Sequence, residues 1–464
     1  MELLYKVKDR PPVDKIIVFA IQQLLSILAG TITLPLIVGN GMSQSAALFG
    51  ASVGTLLYLV ITKFKSPVFL GSSFTYLGSM AAAFAGAATA AIGYFGVVLG
   101  AIMAGLVYVI LSIIVRFTGT KWVSKIMPPV IIGPTVAIIA LTLSPNAIRN
   151  ITLGDVVFDG VISANPYLCL FCGLFTLVVV VICACYGKKT IKLIPFIIGI
   201  ISGYLLALVF TLIGNATGNK ELMIINFEPL NNIKWIPDFT FIHVANGIKD
   251  FSNGIQNAGE YIGLIAITYV PVAFAVFAEH IADHKNISYI IEQDLLEDPG
   301  LSRTLMGDGV GSMVGAAFGG CPNTTYGESI SCIAFSKNAS IITIIATCFI
   351  GILISFFGPL MTLLSTIPTC IIGGVSIALY GFITISGFQM LKQVDLSEQK
   401  NIFVIATIFI CGIGGLTIKF YHFEFSPVAC ALVAGILMNT LVNIKFKKKE
   451  KEEPKSEVEE QENK

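Results

Sequence analysis

The chain has 464 residues, of which 55% are hydrophobic and 12% are charged, and its formal net charge at pH 7 is +1. An ordinary soluble protein carries about 25% charged residues, so most of this surface is expected to face lipid. The net charge by itself says nothing about nucleic acid, but the sequence has no basic domain to bind it, so no nucleic-acid partner is predicted. The cysteine pairs Cys169/Cys172 and Cys183/Cys185 lie in apolar runs without a neighbouring histidine, which favours apolar packing over a metal site or a disulfide framework.

Fourteen apolar runs are long enough to cross, or nearly cross, a bilayer. In chain order they are 16–39, 46–62, 67–88, 89–115, 127–146, 165–186, 191–214, 259–280, 307–319, 321–337, 339–364, 369–390, 401–419 and 424–444. The third, ninth and tenth runs are short or rich in Gly and Ser, which makes them weak as ordinary spans. Residues 1–15 precede the first run. Residues 445–464, with seven lysines, seven glutamates and almost no apolar residue, are predicted to form a disordered tail.

The distribution of lysine and arginine supports this count. If the N-terminus lies in the cytoplasm, the inner loops and both termini hold 24 of the 29 basic residues. The remaining basic residues lie in outer loops and are Arg149, Lys220, Lys234, Lys249 and Lys419. Because positive charge favours the cytoplasmic side, the sequence predicts an all-α membrane protein with fourteen transmembrane segments and both termini in the cytoplasm.

A short internal repeat relates the two halves of the chain. The segments "MPPVIIGPTVAII" (127–139) and "IPTCIIGGVSIAL" (367–379) align without gaps and begin the fifth and twelfth runs. Runs that are seven apart have opposite orientations, and inverted repeats are typical of secondary transporters. The same offset pairs the third and tenth runs, which hold "LGSSFTYLGS" (70–79) and "PNTTYGESIS" (322–331). Such broken, polar segments in corresponding places indicate a binding site near the membrane midplane.

Ionisable side chains interrupt the end of the eighth run, "FAEHIADHK". Glu279 and Asp283 are four residues apart and share one helix face, whereas His280 and His284 form a second pair about 100° away. A carboxylate in the bilayer core costs about 2.5–3.5 kcal/mol and usually faces a cavity, which is the favoured interpretation for Glu279. For His280, His284 and Lys285 we favour a helix end that has reached the cytoplasm. Asp283 fits either interpretation.

Other classes of function fit these residues less well. The order Glu-His-x-x-x-His differs from the zinc motif H-E-x-x-H, so no metal site is predicted. Glu279 and Glu328 could form a glycosidase-like acid pair, but fourteen spans are unnecessary for that chemistry. Ser329 has no evident base beside it, as a hydrolase would need. A channel would need a continuous polar pore, yet the acids cluster at two segments. No enzyme is predicted.

The segment "AEHIADHKNISYIIEQDLLEDPGLSRTLMGDGVGSMVGAAFGGCPNTTYGESI" (278–330) resembles the nucleobase–ascorbate transporters, the xanthine/uracil permease or nucleobase:cation symporter 2 family. The matching features are the "AEH" acid, the "DLLxDPGL" loop and "PNTTYGE". In addition, "GSSFTY" is similar to the family's GSSFAF element, and "GGVSIALYG" (373–381) is similar to GGVSLLLYG. The resemblance runs from "RPPVDK" through the last run and leaves out only the charged tail.

The resemblance implies a transporter domain over 16–444 that is built from two inverted repeats of seven spans. A core domain would comprise about 16–115 and 259–364, and a gate domain about 127–214 and 369–444. The third and tenth spans would each include a short strand, and the substrate would bind between them. The family also implies a homodimer in the cell membrane and no cofactor other than a co-transported cation, for which a proton is expected.

The same resemblance implies roles for particular residues. Glu279 and Glu328 would hydrogen-bond the ring N–H and carbonyl edge of a nucleobase, and Phe74 would pack on its ring. The backbone of Tyr326 and Gly327 would meet a carbonyl oxygen. These roles agree with the chemistry of uracil, because ionised carboxylates only accept hydrogen bonds and a broken helix frees backbone N–H donors. The candidates for proton coupling are Glu279, Asp283, His284 and Glu328.

Three positions leave the substrate open between uracil and a purine. Uracil-transporting members have a histidine where this chain has Asp283, and His284 follows one position later. Purine members tend to have an aspartate there, but many of them have glutamine in place of Glu328. The family's Gln-His pair in the first span is Gln22-Gln23 here. The sequence therefore predicts proton-coupled import of uracil, with xanthine or another purine as the alternative.

Overall fold

The computed structural model describes residues 3–119, 121–158, 161–188, 191–193, 195–233, 235, 241–392, 394–420, 423–425 and 427–444. Residues 445–464, for which a disordered tail is predicted, lie outside the described residues.

Helices make up most of the described chain. The α-helices are α1 (Val13–Val38), α2 (Gln44–Ile61), α3 (Leu77–Ala85), α4 (Ala90–Thr118), α5 (Lys121–Ile126), α6 (Pro129–Asn150), α7 (Pro166–Tyr186), α8 (Pro195–Thr217), α9 (Phe241–Ser252), α10 (Ala258–Ile291), α11 (Leu301–Ala317), α12 (Gly327–Ser336), α13 (Ile341–Ser355), α14 (Gly358–Ser365), α15 (Thr369–Leu391), α16 (Gln399–Ile413) and α17 (Pro427–Val442). Short helical turns cover Phe74–Tyr76, Ile191–Leu193, Lys220–Leu222, Glu228–Asn232 and Leu296–Gly300. The strands are β1 (Leu70–Ser72), β2 (Val157–Phe158), β3 (Val161–Ile162), β4 (Asn323–Thr325), β5 (Ile418–Phe420) and β6 (Phe423–Phe425).

The helices have the lengths and surfaces of a multi-pass membrane protein. Within the described residues, eight helices are long and apolar enough to cross a membrane. The helices α13 and α14 are bent by 81° relative to each other, and they give a ninth candidate span if they are counted as one. Apolar side chains stay exposed along these helices, for example Val178 of α7 at 51% and Leu205 of α8 at 54%. Lipid explains such exposure, because a soluble protein rarely leaves large apolar patches in water. The helices α3, α11, α12, α16 and α17 are shorter and occupy the remaining apolar runs.

Helices related by the sequence repeat pack against each other in opposite directions. The repeated motif begins α6 and α15, whose N-caps are Pro128 and Pro368. A Cβ on Gly133, near the start of α6, would lie 2.8 Å from the carbonyl oxygen of Gly387, near the end of α15. Small residues allow this close backbone approach in membranes. In α2 and α11 the facing pairs are likewise antiparallel: Gly50 with Gly315 and Gly54 with Gly311.

The third and tenth runs contain the strands that the family resemblance implies, and these strands pair with each other. β1 and β4 are antiparallel, in the register Leu70 with Thr325, Gly71 with Thr324 and Ser72 with Asn323. Neighbouring helices complete the hydrogen bonding, since Thr55 Oγ1 accepts the Leu70 N–H (2.9 Å) and Ser312 Oγ accepts the Asn323 N–H (3.1 Å). Extended backbone is tolerated inside a membrane protein because its polar groups are satisfied in this way.

The long helix α10 runs past the paired strands. Its Tyr261 and Tyr269 are buried and lie against Gly96 and Gly100 of α4, where a Cβ would collide with the tyrosine side chains. The Tyr261 hydroxyl donates to the carbonyl oxygens of Ala83 (2.8 Å) and Ile92 (3.0 Å). These contacts fix α10 against α3 and α4, so the ionisable side chains further along α10 are held beside β1 and β4.

Candidate functional site

A helix begins directly after the second of the paired strands. Tyr326 follows β4 and is the N-cap of α12, whose first turn contains Gly327 and Glu328. The Ile330 N–H donates to the Tyr326 carbonyl oxygen (3.2 Å) as the helix starts. The Gly327 N–H precedes the intrahelical bonds and can donate to an outside acceptor, whereas the Glu328 N–H donates to the carboxylate of its own residue. The helix dipole also favours negative charge at this end.

Tyr326 is packed tightly in the protein interior, whereas its neighbour Gly327 is exposed. The Tyr326 ring is buried between α1 and β1, where a Cβ on Gly71 would lie 2.7 Å from the ring and a Cβ on Gly30 would collide with its hydroxyl. At Gly327, no atom of the described residues lies within 4 Å of the Cβ position. Tyr326 therefore fixes the start of α12, while the backbone at Gly327 borders open space.

Glu279 of α10 and Glu328 of α12 are both partly buried at this place. The Thr75 hydroxyl, in the turn after β1, donates to Glu279 Oε2 at 3.0 Å. Glu279 and Glu328 are near enough to interact electrostatically. The structure therefore brings together the two carboxylates that the sequence predicted for the substrate site.

Phe74, in the broken third segment, contacts α15. Its side chain is 7% exposed, and its ring meets the Tyr380 ring edge to face, with 6.0 Å between centroids and 79° between planes. Phe74 belongs to the predicted core and Tyr380 to the predicted gate, so this aromatic pair joins the two sets of helices next to the carboxylates.

Asp283 is buried against β4. Its Oδ2 accepts a hydrogen bond from Thr325 Oγ1 at 2.8 Å, and the residue is 8% exposed. Of the two interpretations that the sequence left open, the structure supports a buried carboxylate and not a solvated helix end.

The expectation for the two histidines of α10 was wrong, because both His280 and His284 are fully buried and only Lys285 is exposed. α10 continues to Ile291, and the surrounding helices cover the histidine rings. His284 Nδ1 lies 2.9 Å from the His280 carbonyl oxygen, and its Nε2 lies 2.7 Å from the Tyr58 hydroxyl. A carbonyl can only accept, so Nδ1 carries a proton, and in the neutral ring Nε2 accepts from Tyr58.

Sequence reasoning missed Asp308, which is the partner of His280. His280 Nδ1 lies 2.7 Å from Asp308 Oδ2, its Nε2 lies 3.1 Å from Thr304 Oγ1, and Asp308 is 1% exposed. The signal was present, since an aspartate inside the apolar ninth run has the same cost in a bilayer as Glu279. Asp308 also lines a small enclosed void with Tyr108 and Asn323.

Gln23, from the Gln22-Gln23 pair of the first run, supports the start of α12. Its Nε2 donates to the Ser329 hydroxyl (2.5 Å) and to the Ser329 carbonyl oxygen (3.3 Å). The Ser329 hydroxyl also accepts the Phe69 N–H at 3.1 Å. Ser329 thus joins α1, α12 and the residue before β1 through amide N–H groups, which is a structural role and not that of an activated nucleophile.

A model of the permease family, for xanthine and uracil permeases, matches residues 14–420. Among curated proteins, the uracil permease of Bacillus subtilis (strain 168) is 33% identical over 442 residues, which are 94% of this chain and 94% of that protein. The putative pyrimidine permease RutG of Escherichia coli (strain K12) is 29% identical over 449 residues, covering 94% of this chain and 92% of RutG.

Two solved structures with a similar fold are a bicarbonate transporter and an anion transporter. The transmembrane domain of the cyanobacterial bicarbonate transporter BicA matches with a TM-score of 0.58 and 14% identity, covering 93% of this chain and 98% of that domain. Murine Slc26a9, an anion transporter in the inward-facing state, matches with a TM-score of 0.61 and 10% identity, covering 94% of this chain and 69% of Slc26a9. At such low identity the similarity concerns the fold.

Proposed function

Because the chain belongs to the xanthine/uracil permease family, we propose that it imports uracil across the cell membrane by secondary active transport, coupled to protons. The observation that carries this proposal is the pair of partly buried carboxylates, Glu279 and Glu328, beside a helix start where the Gly327 backbone borders open space. The names of the uracil and pyrimidine permeases that match nearly the whole chain support the choice of substrate.

The site has the hydrogen-bonding groups that a pyrimidine ring needs. Uracil presents N–H donors and carbonyl acceptors in one plane. Glu279 and Glu328 would accept from the N–H groups, and the N–H of Gly327 would donate to a carbonyl oxygen. Phe74 would pack on the ring face, and aromatic contact of this kind stabilises a planar ligand by about 0.5–1.5 kcal/mol beyond the area it buries.

The same groups oppose an anion as substrate, although the fold is shared with anion transporters. A bare helix N-terminus attracts anions, but here Glu328 occupies the first turn of α12 and Glu279 lies close by. Two carboxylates repel a negatively charged solute. A neutral ring with N–H donors is the kind of solute that this pair can hold.

The arrangement also suggests how a proton is coupled to the substrate. Two neighbouring carboxylates repel each other when both are ionised, and a proton on one of them removes this repulsion. The protonated carboxyl becomes a donor for a substrate carbonyl. Glu279 and Glu328 are therefore our first choice among the four coupling candidates, since both are only partly buried at the site, whereas Asp283 and His284 are buried.

For the architecture we propose fourteen spans in two inverted repeats of seven, with both termini in the cytoplasm. The core would comprise about 16–115 and 259–364 and the gate about 127–214 and 369–444, and transport would move one against the other. The antiparallel pairs α2 with α11 and α6 with α15 support the inversion, and the excess of Lys and Arg on one side supports the orientation. The family resemblance adds a homodimer, which crosslinking in native membranes would test.

Xanthine is the second candidate substrate. Asp283 stands where uracil-transporting members have histidine, and its bond to Thr325 places an aspartate beside β4. Competition between labelled uracil and unlabelled xanthine in one uptake assay would decide between the two bases.

The test of the proposed function is uptake of radiolabelled uracil by cells or proteoliposomes. The wild type should take up uracil, and a protonophore should abolish this uptake. A sodium-driven transporter would keep its uptake in the presence of the protonophore, provided that the sodium gradient is held fixed and the membrane potential is clamped. Glu328→Gln should lower uptake at least tenfold, roughly the value of one charged hydrogen bond. Glu260→Gln, at an exposed position in the first turn of α10, is the matched control. Absent wild-type uptake, or full uptake by Glu328→Gln, would contradict the proposal.

A further inference from the structure

Thr75 connects the broken third segment to the first carboxylate of α10. Its hydroxyl lies 3.0 Å from Glu279 Oε2, across 204 residues of sequence. Oε1 of Glu279 has no hydrogen-bond partner among the described residues. One carboxylate oxygen is thus held by the protein, and the other is available to a ligand.

Both ends of this contact are rigidly supported. Thr75 lies in the turn Phe74–Tyr76, which follows β1 directly, and β1 is paired with β4. The β-branched threonine side chain has few rotamers. Glu279 lies on α10, which packs on α3 and α4. A hydrogen bond between two fixed elements orients a carboxylate with little loss of side-chain entropy at the moment of binding.

A hydroxyl suits this position in either protonation state of the carboxyl group. It donates to an ionised carboxylate and can accept from a protonated one. The contact can therefore persist while Glu279 gains and loses a proton. The resembling family element is GSSFAF, which has alanine where this chain has Thr75, so the contact is a property of this chain and not of that element.

Glu328 lacks such support. No side chain among the described residues donates a hydrogen bond to its carboxylate, and its place is set by the start of α12. The two carboxylates are thus held differently: Glu279 by the Thr75 hydroxyl, and Glu328 by its backbone position.

We propose that Thr75 is a positioning residue for substrate binding. Its hydroxyl holds Glu279 Oε2 so that Oε1 accepts a ring N–H of the nucleobase. This inference rests on the proposed function, because it identifies Glu279 Oε1 as the acceptor for one ring N–H group of the transported nucleobase. It makes the presence of a hydroxyl at position 75 a determinant of substrate affinity.

The hydroxyl can be removed without changing the shape of the side chain. Thr75→Val should raise the KM for uracil about tenfold, as expected for loss of one hydrogen bond to a charged group, with Vmax per folded protein within about twofold. Thr75→Ser keeps the hydroxyl and should restore the KM to within about threefold of the wild type. Thr135→Val is the matched control, since the Thr135 hydroxyl bonds, among the described residues, only to the Ile131 carbonyl oxygen of its own helix (2.8 Å).

A second measurement separates positioning from a structural effect. Uracil methylated at N1 or at N3 lacks one ring N–H, so the wild type should discriminate against the analogue whose missing N–H binds Glu279. Thr75→Val should discriminate about tenfold less against that analogue, whereas a variant that merely loosens the fold would weaken all ligands alike. The discrimination is read from competition against labelled uracil.

The outcomes are distinct. Three results would overturn the role of Thr75 and leave the proposed function standing. They are an unchanged KM for uracil in Thr75→Val, a Thr75→Ser variant that is as impaired as Thr75→Val, and unchanged discrimination between the methylated analogues in Thr75→Val. If the wild type takes up xanthine but no uracil, uracil is the wrong substrate, and a wild-type KM for xanthine in Thr75→Val would then overturn the role of Thr75 as well. Uptake of neither base overturns both the proposed function and this inference.

Discussion

Gly71 of β1 is the position where one added methyl group should damage the site while leaving the fold intact. A Cβ there would lie 2.7 Å from Cγ and Cδ1 of Tyr326 and 2.8 Å from Cδ2. Ordinary contact begins at 3.4 Å, so the ring must move by 3.4 − 2.7 = 0.7 Å. The movement of the ring is restricted at its other end, because its hydroxyl lies against Gly30 of α1. Gly71→Ala therefore displaces the backbone at the start of α12.

The size of the effect follows from this displacement. Inserting a methyl group into a packed core costs about 1–3 kcal/mol, which a large membrane protein can tolerate. A displacement near 1 Å in a binding constellation can cost about 100-fold in rate. We therefore expect Gly71→Ala to express and fold but to lose at least tenfold in Vmax/KM for uracil, because Gly327 and Glu328 move together with Tyr326.

The assay is initial-rate uptake of labelled uracil, normalised to folded protein by fluorescence-detected size-exclusion chromatography. Gly78→Ala is the matched control: Gly78 lies in α3, in the same broken segment, and no described atom lies within 4 Å of its Cβ position. Alanine in a helix stabilises by about 0.5–1 kcal/mol relative to glycine, so this variant should be at least as stable as the wild type. The reasoning would be refuted if Gly71→Ala had the Vmax/KM of the wild type. It would also be refuted if the lower uptake of this variant were fully explained by a smaller amount of folded protein.

Two further predictions concern stability. Asp155, in the loop between α6 and β2, accepts the Thr369 N–H at 2.9 Å and the Thr369 hydroxyl at the start of α15. Burial raises the pKa of Asp155 above the ordinary value, although these hydrogen bonds act to lower it. The folded protein therefore binds the Asp155 proton more tightly than the unfolded chain does. The free energy of unfolding accordingly falls as the pH rises through the pKa of the folded state. Asp155→Asn should remove this slope, so the melting temperature of the wild type minus that of the variant should be larger at pH 4 than at pH 7. His280→Ala should destabilise by about 3 kcal/mol, because it leaves the buried Asp308 without its 2.7 Å partner, whereas His284→Ala leaves that contact in place.

Each of these stability predictions has a clear contrary result. A pH dependence of melting that is the same in Asp155→Asn and the wild type would show that Asp155 does not bind a proton differently on folding. If His280→Ala melted like the wild type in detergent, Asp308 would have to be satisfied without the imidazole.

Local sequence properties were enough to predict the class of protein and to single out the residues that we propose for the principal site. Hydropathy over about 20 residues identifies a membrane helix because the bilayer has a fixed thickness. The cost of a carboxylate in lipid makes Glu279 and Glu328 candidates for a functional site, whatever their partners in the fold. Gly, Pro and Ser in the third and tenth runs indicate broken helices for an equally local reason, since these residues disfavour a continuous helix.

The partners of those residues were decided only by the tertiary structure. Thr75 meets Glu279 across 204 residues, and His280 meets Asp308 across 28, and nothing in the local pattern of either residue specifies the other. The sequence placed His280 and His284 at a solvated helix end because histidine is polar, whereas packing by neighbouring helices buries both. The packing of the Tyr326 ring against Gly30 and Gly71 could not be predicted either, because it depends on how distant segments pack. Composition states what each residue costs in lipid, but only the folded arrangement of distant segments determines which partner offsets that cost.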